Sequence, residues 1–292
     1  MFRGTFTAVV TPFRNGDVDF AAFEKLVEAQ IAAGITGVVA VGTTGESPTL
    51  THEEKEKVIQ RTVKIANGRC KVLAGTGTNS TRGAIEATKF AEKAGADGAL
   101  LVAPYYNKPS QEGLFRHFKA IAGATSLPVM LYNIPGRCAV DIAADTVVRL
   151  AETCRNIVSI KEASGSVERV AELRRRLPQE FTILSGDDSL TLPFMAVGAV
   201  GVVSVASNLF PAELCALVRA CDSGDYKSAE SLHRKLFPLF KDLFIEPNPV
   251  PAKTALAWRG AMSAEVRLPL CEMSDANQTR LRKTVEEFEK AK

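Results

Sequence analysis

Asn156-Ile157-Val158-Ser159-Ile160-Lys161-Glu162-Ala163-Ser164-Gly165 sets one lysine at the end of an otherwise apolar, β-branched run. Flanked by helical patterns, such a run reads as a parallel strand covered on both faces, where an unpaired ammonium is costly to bury. An isolated strand-end lysine ordinarily points to water. Whether Lys161 does so depends on what the other strand ends carry.

Outward from this stretch, short apolar runs alternate with longer amphipathic patterns. Strands are expected at Phe6–Val10, Gly37–Val41, Val72–Gly75, Gly98–Val102, Pro128–Tyr132, Ile157–Lys161, Thr182–Ser185 and Gly201–Val205. Helix patterns cover Phe20–Ala33, Glu53–Ala66, Thr81–Ala94, Glu112–Ala124, Ala144–Glu152, Val167–Leu177, Leu190–Ala196 and Ala212–Ser223. Thr51 with Glu54 fits a capping box, and Asp19 and Ser80 mark further helix starts. Gly34, Gly68 and Gly95 follow helical runs and suit the left-handed position of a C-cap. Eight βα units with short connections imply right-handed crossovers and an all-parallel sheet that closes into a (β/α)8 TIM barrel. An open doubly wound sheet would carry a GxGxxG turn between its first strand and helix, and none is present.

Past residue 224 the strand signal stops. Ala229, Leu232, Leu236, Leu239, Phe240, Leu243 and Phe244 form a helical stripe, broken by the elbow Glu246-Pro247-Asn248-Pro249-Val250-Pro251. Further helices are expected over Lys253–Arg259 and around Leu281, Val285 and Phe288. The division implied is a catalytic barrel over 1–224 and a C-terminal helical appendage over 225–292.

The 292 residues carry 36 basic and 33 acidic groups for a net charge of +3, without a basic run or basic-aromatic interleaving, which argues against nucleic acid as a partner. Cys70, Cys138, Cys154, Cys215, Cys221 and Cys271 show no CxxC spacing, and His52, His117 and His233 lie far apart, so no metal site is expected and the thiols read as reduced, most of them small core fillers. The amino end lacks an apolar signal core, and no stretch approaches the ~18 apolar residues of a membrane span. A cytoplasmic location is expected.

In a barrel of this kind, chemistry comes from the carboxyl ends of the strands. Strand two runs into Gly42-Thr43-Thr44-Gly45-Glu46-Ser47, a loop able to aim amides and hydroxyls at an anionic oxygen. Strand four leads to Pro104-Tyr105-Tyr106-Asn107, and strand five to Tyr132-Asn133-Ile134-Pro135-Gly136-Arg137, which brings a phenol and a carboxylate-matching guanidinium to one mouth. Strand six ends at Lys161, and strand seven at Ser185-Gly186-Asp187-Asp188, whose paired carboxylates disfavour a phosphate-handling barrel. A lysine whose pKa is depressed by an apolar barrel can attack a ketone and form a Schiff base, with Tyr132 moving protons and Thr43 as a relay.

These motifs, with Ile160-Lys161-Glu162-Ala163, resemble those of the pyruvate-dependent class I aldolase family, which includes N-acetylneuraminate lyase. The similarity runs from the first strand to the tail and is strongest to the branch that condenses pyruvate with L-aspartate 4-semialdehyde in lysine biosynthesis. The resemblance implies that Lys161 forms the imine, Tyr132 shuttles protons, and Thr43 joins it in a relay with Tyr106 from a neighbouring subunit. It also implies that Thr44 holds the pyruvate carboxylate, Arg137 the semialdehyde carboxylate, and the Gly186 and Val203 main chains line the pocket. No metal or diffusible cofactor is implied, and a homotetramer built as a dimer of dimers is usual. Relatives acting on keto-sugar acids are disfavoured by Arg137. Two departures stand out. Cys138 replaces the common Thr, and in the region of the lysine feedback site Ser47, His52, Asn79 and Tyr105 match while Gly83 stands for a glutamate and Lys55 for a frequent histidine.

Overall fold

The computed structural model describes residues 2–290. Its strands are β1 (Gly4–Ala8), β2 (Gly37–Ala40), β3 (Lys71–Gly75), β4 (Gly98–Val102), β5 (Val129–Asn133), β6 (Ile157–Glu162), β7 (Thr182–Ser185) and β8 (Gly201–Ser204). All eight are parallel, and each pairs with its neighbours in chain order until β8 returns to β1 and closes the barrel. Around it run α1 (Phe20–Ala32), α2 (His52–Ala66), α3 (Thr81–Ala94), α4 (Gln111–Ala122), α5 (Ala144–Thr153), α6 (Val167–Arg176), α7 (Thr191–Ala196) and α8 (Pro211–Asp222). The (β/α)8 barrel implied by the alternation of patterns is the fold observed.

Local chemistry sets the element ends. Thr51 and Glu54 form the reciprocal capping box on α2, and Asp19 and Ser80 cap α1 and α3. Gly95 caps α3 itself; Gly34 and Gly68 stand one residue beyond the caps Ala33 and Asn67, and all three have positive φ. Among the elements outside the expected alternation are a hairpin of Phe13–Arg14 and Asp17–Val18, and a helical turn at Pro135–Cys138. Both are too short to show a period.

Apolar side chains separate into two clusters. The larger fills the space between strands and helices, while Phe2, Phe6, Val39, Leu73, Met130 and Leu184 belong to the smaller one inside the barrel. The interior is crowded enough to require missing side chains. A Cβ on Gly37 would lie 2.5 Å from the Phe6 ring, and one on Gly98 2.5 Å from the Phe2 ring.

One irregularity decides where Lys161 points. Val129 pairs with Ile157, but Met130 pairs with Ser159, so β6 carries an extra residue against β5 at Val158. Ile157 and Ile160 both belong to the outer cluster, whereas strict alternation would put them on opposite faces. The bulge re-phases the strand, and Lys161 thereby pairs with Tyr132, which faces the barrel interior. Its neighbour Glu162 turns the other way and is fully buried, accepting from Arg169 Nε at 2.8 Å, Ser164 N at 2.8 Å and Asn133 Nδ2 at 3.1 Å.

The tail consists of α9 (Tyr226–Asp242), α10 (Val250–Trp258) and α11 (Asp275–Lys290). The expected Lys253 helix begins earlier, at Val250, because Pro251 falls at its start, where a missing N–H is tolerated. Lys253 is 0% exposed; its Nζ lies 2.6 Å from Glu46 Oε1 and 2.9 Å from the Thr11 carbonyl, over the Phe13 ring. Burial lowers its pKa, and the Glu46 carboxylate opposes that effect. Removing one partner of such a pair strands the other charge. Lys253→Ala is therefore expected to lower unfolding free energy by about 3 kcal/mol in urea denaturation, and a loss no larger than that of an exposed ion pair would contradict this.

Candidate active site

Lys161 is 6% exposed, so the common fate of a strand-end lysine is not its own. Desolvation brings its pKa down to about 7, with the Asp188 carboxylate opposing and the Arg137 guanidinium reinforcing. Its Nζ lies 4.1 Å from the centroid of the Tyr132 ring on the adjoining strand. Burial pushes the Tyr132 phenol above its ordinary range, so it stays protonated at neutral pH, with the neighbouring Thr43 side chain opposing that shift. A protonated phenol beside a hydroxyl on one side and an amine on the other is suited to passing protons.

Arg137 is supplied by the helical turn after β5, where the amides of Arg137 and Cys138 each donate to the Ile134 carbonyl at 3.0 Å. Its side chain is exposed, and its charge acts on both Tyr132 and Lys161. A cavity of about 260 Å³ opens here, with Val41, Gly42, Thr43, Tyr105, Tyr132 and Arg137 among its lining residues. Val41 has φ +59°, a left-handed conformation that is rare for a β-branched residue and costs on the order of 1–3 kcal/mol. That turn ends β2 and starts the Gly42–Ser47 loop.

The cavity brings together Thr43, Tyr132 and Arg137; Lys161, Thr44, Gly186 and Val203 do not form part of its lining. Thr44 is buried, and its Oγ1 accepts a hydrogen bond from Asn248 Nδ2 at 3.0 Å. Gly186 packs on the lysine stem: a Cβ there would stand 3.0 Å from Lys161 Cε and 2.8 Å from Ala163 Cβ. Its amide donates to the Glu162 carbonyl at 2.8 Å. Val203 belongs to the inner cluster, paired with Phe6. Tyr106 is 89% exposed with φ +73°, outside the cavity of its own chain.

Three contributors escape the strand-end reading. Asp188, at the start of the turn after β7, is buried, and burial raises its pKa to about 6. Its Oδ2 accepts from the Val205 and Ala206 amides at 3.0 and 2.9 Å, and Oδ1 has no partner. The adjacent carboxylates act on the site electrostatically, Asp188 on Lys161 and Asp187 on Tyr132. Asn248 and Lys253, from the tail, bond the loop after β2 and carry no strand-end signal; the signal available was a lone lysine within the apolar run Val250–Leu256.

With a pKa of about 7, Lys161 is half free amine near neutrality. The free base is the reactive form, so the rate of modification by a carbonyl reagent with borohydride is expected to climb with pH to about 7 and then flatten. An ordinary lysine, with a pKa of about 10.4, would still be gaining at pH 9.

Fold and site together define a (β/α)8-barrel lyase with a lysine buried at the carboxyl end of strand six. The chain belongs to the dihydrodipicolinate synthetase family, whose model matches residues 1–288. It is 54% identical over 281 residues to the 4-hydroxy-tetrahydrodipicolinate synthase of Thermodesulfovibrio yellowstonii, covering 96% of each chain. Among solved structures, the 4-hydroxy-tetrahydrodipicolinate synthase of Methylacidiphilum fumariolicum SolV is 58% identical with a TM-score of 0.98, covering 99% of this chain and 97% of that one. The chloride-inhibited dihydrodipicolinate synthase of Acinetobacter baumannii, solved in complex with pyruvate, is 45% identical with a TM-score of 0.96, covering 99% of both chains. No described helix is long and apolar enough to cross a membrane.

Proposed function

We propose that this protein is a 4-hydroxy-tetrahydrodipicolinate synthase, which condenses pyruvate with L-aspartate 4-semialdehyde in lysine biosynthesis. The observation that carries the reading is the buried Lys161 amine against Tyr132, with a guanidinium at the same mouth. Relatives of about half identity over nearly the full length, named for this activity, support it. The free amine attacks the pyruvate ketone, and loss of water gives an iminium. Tyr132, with Thr43 lining the same cavity, delivers and retrieves the protons of that dehydration, with Tyr106 of a neighbouring subunit completing the relay. Deprotonation of the methyl carbon yields an enamine that adds to the aldehyde carbon. The amine of the semialdehyde then displaces Lys161 from the imine carbon, closing the ring and freeing the lysine. One water is released per product. Thr44 holds the pyruvate carboxylate, Arg137 that of the semialdehyde, and the Gly186 and Val203 backbones shape the pocket. No step calls for a metal or a diffusible cofactor.

Residues 1–224 make the catalytic barrel, and 225–292 are an appendage that supports it. Tyr106, exposed and held in a left-handed turn, fits a homotetramer built as a dimer of dimers in the cytoplasm. The deciding test supplies pyruvate with either L-aspartate 4-semialdehyde or N-acetylmannosamine. Stoichiometric loss of pyruvate and semialdehyde is expected; turnover with the amino sugar alone would assign the protein to the sugar-acid branch of the family.

Inhibition by lysine is expected to be weak. Gly83 supplies no carboxylate, and Lys55 adds a partly buried cation whose pKa burial lowers. Both disfavour a cationic ligand. Steady-state rates should fall by half only above millimolar lysine, and half-inhibition at sub-millimolar lysine would refute the prediction.

A further inference from the structure

The loop after β2 is gripped from outside the barrel at two places. Asn248 is 6% exposed and donates from Nδ2 to Thr44 Oγ1 at 3.0 Å. Two residues along the loop, Glu46 accepts from Lys253 Nζ at 2.6 Å and, through its other oxygen, from the Arg267 amide at 3.1 Å. Both grips come from the tail. The direction of the Asn248 bond matters chemically. A hydroxyl has one hydrogen to give and can accept on its oxygen. With Oγ1 already accepting from an amide, the Thr44 hydrogen is left to be donated elsewhere.

We propose that Asn248 is a positioning residue for the keto-acid carboxylate: it fixes the Thr44 hydroxyl as a donor toward the carboxylate, on a loop that the Lys253–Glu46 pair pins in place. This rests on the function proposed above. It makes the tail part of the substrate-recognition apparatus, acting through Thr44 without touching substrate.

The isosteric variant Asn248→Asp replaces the donor by an acceptor. Thr44 then turns its hydrogen to the new carboxylate, and a negative charge stands behind the site of a bound anion. Asn248→Ala only removes the constraint. The measurement is the half-saturating concentration for borohydride trapping by the full-length protein, with pyruvate and with its neutral methyl ester. Asn248→Ala is expected to raise the pyruvate value about tenfold and Asn248→Asp more, while the ester value moves less than about twofold. A purely structural role would weaken both ligands alike, and that result overturns the inference, as does an unchanged pyruvate value in Asn248→Asp. Thr44→Val supplies a check that does not depend on Asn248→Ala folding well. It should reproduce the pyruvate loss, and adding Asn248→Asp to it should cost less than in the wild-type background, the remainder being the repulsion of the new charge alone. Full additivity of the two changes counts against the mechanism. Wild-type protein that traps no pyruvate at all sinks the proposed function and this inference with it, whereas wild-type trapping with unchanged Asn248 variants sinks this inference alone.

Discussion

Lys161→Ala is expected to abolish the borohydride-stabilised pyruvate adduct and to reduce turnover at least ~10⁴-fold, the scale seen when a group that forms the covalent intermediate is removed. Mass analysis of the trapped wild-type protein should place the added mass on the peptide containing Lys161. An adduct on another lysine would contradict the assignment. Lys253 makes that comparison informative, because it is the other buried lysine among the described residues and is paired with Glu46. Its ammonium is held by a carboxylate and a carbonyl, whereas Lys161 lies against the Tyr132 ring under opposing influences from Asp188 and Arg137. The stability consequence has a definite sign. The folded-state pKa of Lys161 lies at about 7, well below the unfolded value, so burying it costs stability at and below neutral pH. That cost fades as pH rises toward about 10.4, where the unfolded chain also loses its proton. The volume-conserving Lys161→Met should therefore melt higher than wild type at pH 6 to 7, with an advantage that shrinks by pH 10. Loss of activity together with gain of stability is the signature of a strained functional group.

The fold was legible because period and count sufficed: helical and strand patterns alternate eight times, and an eight-unit parallel sheet closes. The residues at strand ends were legible for the same reason. The bulge at Val158 was not, since neither propensity nor composition distinguishes an extra β-branched residue from a regular one, and yet it turns Lys161 inward. A regular β6 in phase with Ile157 would send Lys161 toward the helices and Glu162 into the barrel. The tail was legible as helices but not as a partner of the loop after β2, because Asn248 and Thr44 stand 204 residues apart. Lys253 could have been found by the argument that singled out Lys161, a lone cation within an apolar run. Asp188 was hidden by its neighbour: of two adjacent carboxylates, alternation alone does not say which enters the interior.

Arg137→Ala should separate the two substrates. The residue is exposed and lines the cavity together with Tyr132. In the function proposed above, a planar fork there would take an incoming carboxylate through two hydrogen bonds, and losing such a charge-assisted pair is worth roughly 10²- to 10³-fold. kcat/KM for L-aspartate 4-semialdehyde is expected to fall by about that factor, while the half-saturating pyruvate concentration for trapping changes only a few-fold at high pH. Trapping should still feel the substitution in one respect. Arg137 helps to hold the Lys161 pKa down, so removing its charge lets that pKa rise from about 7 and moves the midpoint of the pH profile upward. Arg137→Lys keeps a positive charge but lacks the fork. It should return the pH midpoint toward the wild-type value and leave most of the semialdehyde defect in place. Equal damage to both substrates, or full rescue by lysine, would mean that Arg137 acts on the imine-forming amine and that another group recognises the second carboxylate.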